Sequence, residues 1–356
     1  MTEKCIKMAQ PSKQNQQHQI VGFHYIRAIA CIAIVLLHVT YAASLQYRHS
    51  ITAQTYTITS MITNLMMWAV PCFIMVTGAL LLNPNHEVTL AKIYRKYMKK
   101  VFIALIAFVF VYRFFDMIVA GEGVSLNGFM KGFVQFFTGT SWSPLWYLYM
   151  LIGLYALLPL YRRITQAATY KELQYGIIVG FIVLSLFPLT ALFNIKLNFT
   201  IHIASIYPFY LFLGYLLYND IIKINKKTNI IIFIVSIVLI IGVVYYRWMH
   251  NVETFNLLLS YASPLSILLS ASLFHFFKSI KPISIKGLHK ALIALDQASF
   301  GIYLIHIIFV KYFLAILHYN PYKVPVLGFI GIVCLISILS WIISYVWNLC
   351  MHRYAK

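Results

Sequence analysis

The stretch RAIACIAIVLLHV, residues 27–39, places Arg27 at the start of an apolar run and His38 near its end. The run extends in both directions, far enough for a helix to cross the roughly 30 Å of hydrocarbon in a bilayer. Runs of this kind recur along the chain, so the predicted fold class is an all-α integral membrane protein with about ten transmembrane helices. The predicted spans are residues 20–43, 57–82, 101–120, 144–161, 175–194, 201–219, 229–247, 256–277, 298–318 and 324–349.

The composition agrees with a membrane protein. Hydrophobic residues make up 61% of the 356 residues and charged residues 10%, with a mean hydropathy of +0.80. Soluble domains contain about a quarter charged residues, and recurrent apolar runs exclude a secreted protein with one signal peptide. No polar stretch is long enough for a soluble domain. We therefore expect residues 1–18 to form a disordered cytoplasmic tail and residues 19–356 a single membrane-embedded domain.

The distribution of charge predicts the topology. Lys and Arg number 28 against 8 Asp and Glu, for a formal net charge of +20. They gather in alternate connections, such as KIYRKYMKK at residues 92–100 and the pair Arg162 and Arg163, whereas the intervening connections hold single cations such as Arg48. Cytoplasmic loops carry an excess of Lys and Arg. The pattern therefore predicts that both termini lie in the cytoplasm, and it explains the charge without nucleic acid as a partner.

Several common catalytic sites are missing from the sequence. The five cysteines lie near a terminus or within apolar runs and lack metal-ligand spacing, so we expect neither disulfides nor a metal site. The sequence also has no Walker loop and no G-x-S-x-G nucleophile elbow. Ionisable groups inside the predicted spans are therefore the remaining candidates for chemistry.

The first span carries a polar stripe. Arg27 and His38 are eleven residues apart, which returns to within about 20° of the same helix face, about 16 Å further along the axis. His24 and Tyr41 lie near the same line. One interpretation is that Arg27 reaches the lipid headgroups while His38 is a hydrogen-bonded core histidine. The other is that both groups face an internal, water-accessible cavity.

A second stripe favours the cavity. The segment DQASFGIYLIH places Asp296, Ser299, Tyr303 and His306 on one helix face. Hydrogen bonding between helices is the simpler explanation for such residues. Two histidine-bearing polar faces nevertheless exceed what stability requires, and a neutral imidazole is a good general base near pH 7.

Aromatic and charged residues near the predicted outer ends of spans have two interpretations each. Trp142, Trp146 and Tyr149 form either an aromatic belt at the membrane interface or a platform for a sugar ring. Arg113 and Asp116 are three residues apart on a helix and are expected to pair, as a local salt bridge or as a substrate contact.

The sequence resembles the membrane acyltransferase-3 family, whose signature is an arginine, ten residues and a histidine. Arg27 and His38 match that spacing. Thr77-Gly78 stands where Ser-Gly is more usual in the family's second span. The similar stretches occur in the family's order: FHYIRAIACIAIVLLHVTY (23–41), AVPCFIMVTGALLL (69–82), KIYRKYMKK (92–100), LWYLYMLIGLYALLPLY (145–161), YPFYLFLGYLLY (207–218) and SFGIYLIHIIFV (299–310).

The resemblance implies an activity. Members move an acyl group, commonly acetyl from acetyl-CoA, to a hydroxyl of a glycan or a lipid-linked sugar at the bacterial cytoplasmic membrane. We expect a stand-alone O-acetyltransferase of surface polysaccharide, without the extracytoplasmic hydrolase-like domain of some relatives and without a metal. The alternative is an exporter of an exopolysaccharide or a lipid-linked glycan, a function also suggested for some members.

The resemblance also implies essential roles for two residues of the first span. His38 is the expected general base, and Arg27 is expected to bind the donor. Arg95 and Lys99 are expected to hold the donor's phosphates. The remaining candidates are expected to face or orient the acceptor, or to stabilise the oxyanion: Trp146, Tyr147, Ser299, Tyr303 and His306.

Overall fold

A computed structural model describes residues 13–84, 86–121, 123–195 and 205–354. The described residues are helical with no strand, which confirms the all-α class. Nine of their helical segments are long and apolar enough to cross a membrane, and a shorter apolar helix covers Ile206–Tyr218. The helices are α1 Lys13–Gln46, α2 Ala53–Leu65, α3 Ala69–Leu81, α4 Leu90–Lys92, α5 Lys99–Val119, α6 Leu126–Thr138, α7 Trp146–Ala167, α8 Tyr170–Phe181, α9 Ile206–Tyr218, α10 Lys226–His250, α11 Pro264–Lys278, α12 Lys286–Lys311 and α13 Pro325–Tyr354.

Short turns of other helix types extend several of these elements. A π-helical turn, Ile93–Met98, joins α4 to α5, and a second one, Ile182–Leu186, continues α8. A 3₁₀ segment, Phe187–Phe193, then completes that span. The short helices α4 and α8 thereby become parts of membrane-length segments.

Several observed boundaries differ from the predicted ones; α12, for example, begins at Lys286, whereas its span was predicted to begin at 298. The predicted span 57–82 consists of two helices, α2 and α3, separated at Met66–Trp68. Helix α1 begins at Lys13, within the predicted tail, and residues 1–12 lie outside the described part of the chain. The start of the predicted span 201–219 also lies outside the described residues, and α9 begins at Ile206.

Helix α6 was not predicted, because thirteen residues are too few to cross a bilayer. It packs on α5 through two buried glycines. A Cβ atom on Gly128 would lie 2.1 Å from the Met117 sulfur, and one on Gly132 would lie 3.2 Å from the Phe110 ring. The opposite face exposes large apolar side chains, including that of Phe137. This pattern is typical of a helix that lies along the membrane interface.

Side-chain contacts gather the basic connections at one end of the bundle. Lys278 at the end of α11 donates to the Leu217 carbonyl near the end of α9, at 2.7 Å. Arg162, late in α7, donates to the Leu81 carbonyl at the end of α3. The connections that follow these helices, together with the adjoining helix ends, carry 15 of the 28 Lys and Arg residues. We call this the basic end, and the positive-inside rule predicts that it faces the cytoplasm.

Helix α1 runs through the centre and is parallel to α12. The hydroxyl of Tyr25, near the start of α1, forms a hydrogen bond of 2.6 Å with Nδ1 of His289, near the start of α12. Further along both helices, the Cys31 sulfur donates to the Ser299 carbonyl at 3.8 Å. Because both helices start at the basic end, the polar stripe of the first span faces the polar stripe of α12 along their length.

Helices α3 and α9 cross at very short range. A Cβ on Gly78 would lie 1.8 Å from the Leu211 carbonyl oxygen, and one on Gly214 would lie 2.1 Å from that of Met75. Only glycine permits such contact between backbones, a common way of packing helices in membranes. This crossing packs the backbones of α3 and α9 directly against each other.

Candidate active site

The contact between α1 and α12 contains two layers of polar side chains. In the layer nearer the basic end, Arg27 Nε donates to Asp296 Oδ1 at 2.6 Å and Nη2 donates to Oδ2 at 2.8 Å. His24 Nδ1 also contacts Oδ2, at 2.6 Å. Asp296 is 7% exposed. Its charge is thus compensated by a bidentate arginine, the strongest arrangement for such a pair.

This pairing changes the interpretation of Arg27. The guanidinium does not stand alone, because Asp296 binds the edge formed by Nε and Nη2. Nη1 has no hydrogen-bond partner within the described part of the chain. Its charge is largely neutralised by the carboxylate, so Arg27 is better suited to donating hydrogen bonds than to attracting an anion.

The second layer is a pair of histidines. His306 Nε2 lies 3.1 Å from His38 Nδ1. His306 Nδ1 lies 3.0 Å from the Ile302 carbonyl, which can only accept, so Nδ1 carries a proton and the Nε2 of a neutral His306 is an acceptor. His38 Nδ1 must then be the donor, and it also lies 3.0 Å from the Ile34 carbonyl. A neutral His38 therefore holds its lone pair on Nε2.

The free nitrogen of His38 is the chemically interesting atom of the pair. Among the described residues, no group hydrogen bonds to His38 Nε2, and the side chain is only partly buried. His306 is completely buried. Because two imidazolium rings would point N–H groups at each other, at least one ring of the pair must be neutral.

A cavity of about 380 Å³ lies at the basic end and reaches Arg27. It lies between α1, α3, α7 and the segment that leads into α5. Among the basic residues of segment 92–100, Lys92 lines this cavity. Arg95 and Lys99 are exposed and lie outside its lining. His38 also lies outside the lining. The lining residues are Arg27, Thr77, Leu80, Leu81, His86, Glu87, Val88, Lys92, Tyr97 and Tyr155.

Several predicted acceptor residues form one aromatic cluster beside the histidine pair. The ring centroids of Tyr147 and Tyr303 are 5.1 Å apart, and those of Tyr303 and His306 are 5.9 Å apart. The Trp146 ring lies 5.6 Å from Tyr207 and 6.1 Å from Tyr147. Trp146 and Tyr147 of α7 and Tyr303 and His306 of α12 thus form a continuous series of ring contacts that ends at His38.

Two of the candidate residues on α12, Tyr303 and Ser299, make contacts with neighbouring helices or loops. Tyr303 donates its hydroxyl proton to the Pro144 carbonyl, so in this state it cannot donate to a reacting oxygen. Ser299 is 9% exposed and lies at the contact with α1, where its carbonyl accepts from Cys31. Both residues therefore help to fix the position of α12.

Trp142 cannot form a sugar platform. Tyr112 stacks on the indole at 4.4 Å between ring centroids, and the Lys311 ammonium lies 3.9 Å from the centroid. Since a ring stacked this closely leaves no room for an ammonium group on the same side, both faces of Trp142 are covered. Tyr149 donates its hydroxyl to the Phe136 carbonyl at 2.5 Å, which ties α7 to α6.

The predicted pair of Arg113 and Asp116 is wrong. Asp116 binds Lys311 at 2.8 Å and accepts from Trp142 Nε1 at 2.8 Å. Arg113 Nε donates to the Gly128 carbonyl at 3.2 Å. Spacing along one helix permitted the pair, but tertiary contacts with α12 and α6 gave each group another partner.

Sequence reasoning missed the role of two residues at the basic end. His24 was noted only for its position on the stripe, although it lies one turn before Arg27 and binds the same carboxylate. Arg162 was interpreted as a loop cation, but it is 7% exposed and donates to backbone carbonyls. The apolar residues around Arg162 in LWYLYMLIGLYALLPLYRR were the available signal for burial.

Fold and site together define a helical membrane protein with a basic-end cavity and a histidine pair between two parallel helices. A family model described as an acyltransferase domain matches residues 20–345. The chain therefore belongs to the membrane acyltransferase-3 family, as its resemblance implied, and is a membrane acyltransferase. Comparisons with curated proteins and with solved structures gave no significant match.

Proposed function

We propose that the protein is an O-acetyltransferase of the bacterial cytoplasmic membrane. It moves an acetyl group from acetyl-CoA to a hydroxyl of a surface polysaccharide or a lipid-linked sugar, and so takes part in polysaccharide biosynthesis for the cell envelope. Family membership supports acyl transfer in general. The observation that carries the specific reaction is the histidine pair, which leaves the lone pair of His38 Nε2 free.

The reaction needs one base and no metal. His38 Nε2 accepts the proton of the acceptor hydroxyl while that oxygen attacks the thioester carbonyl. The tetrahedral intermediate collapses with cleavage of the C–S bond, and the imidazolium returns the proton to the departing thiolate of CoA. His306 supports this cycle by accepting from His38 Nδ1, which keeps the lone pair on the reacting nitrogen.

The donor extends from the basic end toward His38. Lys92 at the cavity binds the charged phosphates, with the exposed Arg95 and Lys99 nearby as further cations. Arg27 presents Nη1 to polar groups of the pantetheine arm, whose length is comparable to the roughly 16 Å between Arg27 and His38 along the helix.

The acceptor sugar binds against the aromatic cluster, next to His38. Tyr147 is largely buried, and its hydroxyl has no hydrogen-bond partner in the part of the chain described. Trp146 is partly exposed beside it. Aromatic faces and one free hydroxyl are suited to a sugar ring, which is apolar on its faces and rich in hydroxyls at its edges.

An assay with labelled acetyl-CoA tests this function against glycan export. Purified protein in liposomes, incubated with acetyl-CoA carrying a labelled acetyl group and with lipid-linked or polymeric glycans, is expected to form labelled glycan and free CoA. An exporter would move labelled glycan across the liposome membrane without using acetyl-CoA. Transport without acetyl transfer would contradict the proposal. Mass spectrometry of surface glycans from cells with and without the protein would identify the transferred group.

A further inference from the structure

One wall of the basic-end cavity is a turn without regular secondary structure. Of the residues between α3 and α4, the structure describes 82–84 and 86–89, and His86, Glu87 and Val88 line the cavity. Thr89 caps α4 by accepting from the Lys92 amide at 3.2 Å, so the turn also leads directly to the cavity's lysine. The position of this turn therefore determines the width of the cavity.

The guanidinium of Arg162 binds three backbone carbonyls at this turn, more than any other described side chain there. Arg162 on α7 donates to the Leu81 carbonyl, to the Asn83 carbonyl at 3.2 Å and to the His86 carbonyl at 2.6 Å. Thr165, one turn further along α7, donates to the Leu82 carbonyl at 2.8 Å. The carbonyls at the end of a helix have no partners within the helix, and these contacts satisfy them.

The geometry of this anchor requires arginine. A guanidinium presents five N–H donors in a fixed planar fork, whereas a lysine ammonium is a compact charge with three donors at one point. Lysine could preserve the charge at position 162 but could not reach three carbonyls that span residues 81–86. Arg163, the next residue, is exposed and offers a matched comparison with the same charge at the same end of α7.

We propose that Arg162 is a positioning residue that fixes the cavity wall and thereby sets the affinity for the acyl donor. This inference rests on the proposed function, because the cavity is taken to be the donor site. Arg162 lies outside the cavity lining and acts only through the backbone of the turn. Its loss is expected to weaken donor binding without changing the chemistry at His38.

Kinetics of matched variants test the proposal. Arg162→Lys is expected to raise KM for acetyl-CoA about tenfold and to leave kcat within about twofold, since it removes binding that is equal in the ground and transition states. Arg163→Lys and Arg163→Gln are expected to behave like the wild type. The milder Thr165→Val, which loses one hydrogen bond to the turn, is expected to raise KM less. An Arg162→Lys variant with wild-type KM, or with kcat lowered as much as kcat/KM, would overturn the proposal.

Hydrogen–deuterium exchange gives a readout that does not depend on the reaction. In protein without substrate, Arg162→Lys is expected to speed amide exchange at least about tenfold in a peptide covering residues 81–92, and not in peptides from α12. Unchanged exchange in that peptide would show that Arg162 does not hold the wall. If the wild type transfers no acetyl group, the proposed function fails, but the exchange result still decides whether Arg162 positions the turn.

Discussion

Replacing His38 by alanine is expected to lower kcat for acetyl transfer by roughly 10²–10⁴-fold, the usual contribution of a general base. The physical reason is that His38 Nε2 is the free nitrogen of the histidine pair. Because the side chain is only partly buried, the variant is expected to remain folded and inserted in the membrane. Initial rates of labelled acetyl transfer at saturating acetyl-CoA measure the effect.

Two further variants make the His38 result specific. His306→Ala removes one of the two acceptors that hold the proton of His38 on Nδ1, the other being the Ile34 carbonyl, and an intermediate loss of kcat is expected. His49→Ala changes an exposed histidine and is expected to have no effect. A His38→Ala protein that transfers acetyl at more than half the wild-type rate would exclude His38 as the base.

Removing the carboxylate of Asp296 is expected to be the most destabilising single change at the site. Asp296→Ala leaves the guanidinium of Arg27 without its counter-ion between α1 and α12. Breaking a buried pair in this way costs about 3–5 kcal/mol, and a cost near the lower end is expected here because the Arg27 side chain is 25% exposed. Unfolding by SDS in mixed micelles measures the free energy of unfolding. The rate of acetyl transfer from acetyl-CoA is expected to fall in the same variant.

The other ion pair of α12 is the control for Asp296. Asp116 pairs with Lys311, whose side chain is 45% exposed, and accepts from Trp142 Nε1, so Asp116→Ala is expected to cost about 1–2 kcal/mol for the exposed pair and the lost hydrogen bond together. The double variant Arg27→Met/Asp296→Leu replaces the pair by apolar groups and is expected to recover stability but not activity. Equal costs for the two single aspartate variants would contradict the assignment of a buried pair between α1 and α12.

Some of this architecture was predictable because it depends on local periodicity. The length of the apolar runs predicted the spans, and the 3.6-residue period predicted that Arg27 and His38 share a face of α1. The same reasoning placed His306 on a polar face of α12. These predictions need only the geometry of one helix.

The contacts between the two faces were not predictable. His38 and His306 are 268 residues apart in the chain, and their contact depends on α1 and α12 packing in parallel at one register. The partner of Asp296 depends on the same register. The sequence left two interpretations of Trp142 open, an aromatic belt and a sugar platform, because its position could not reveal that Tyr112 and Lys311 cover its faces. Tertiary packing, and not local pattern, decided each of these cases.

In the proposed mechanism, one acetyl-CoA molecule extends from the basic-end cavity to His38. A cryo-electron microscopy structure with a non-hydrolysable acetyl-CoA analogue tests it most directly. We expect the phosphates of the analogue to lie beside Lys92 and its pantetheine arm to pass Arg27. A hydroxyl oxygen hydrogen-bonded to His38 Nε2 is then expected to lie about 3–3.5 Å from the carbonyl carbon of the analogue. An analogue whose acyl end stops at Arg27, or that binds outside the cavity, would contradict the account.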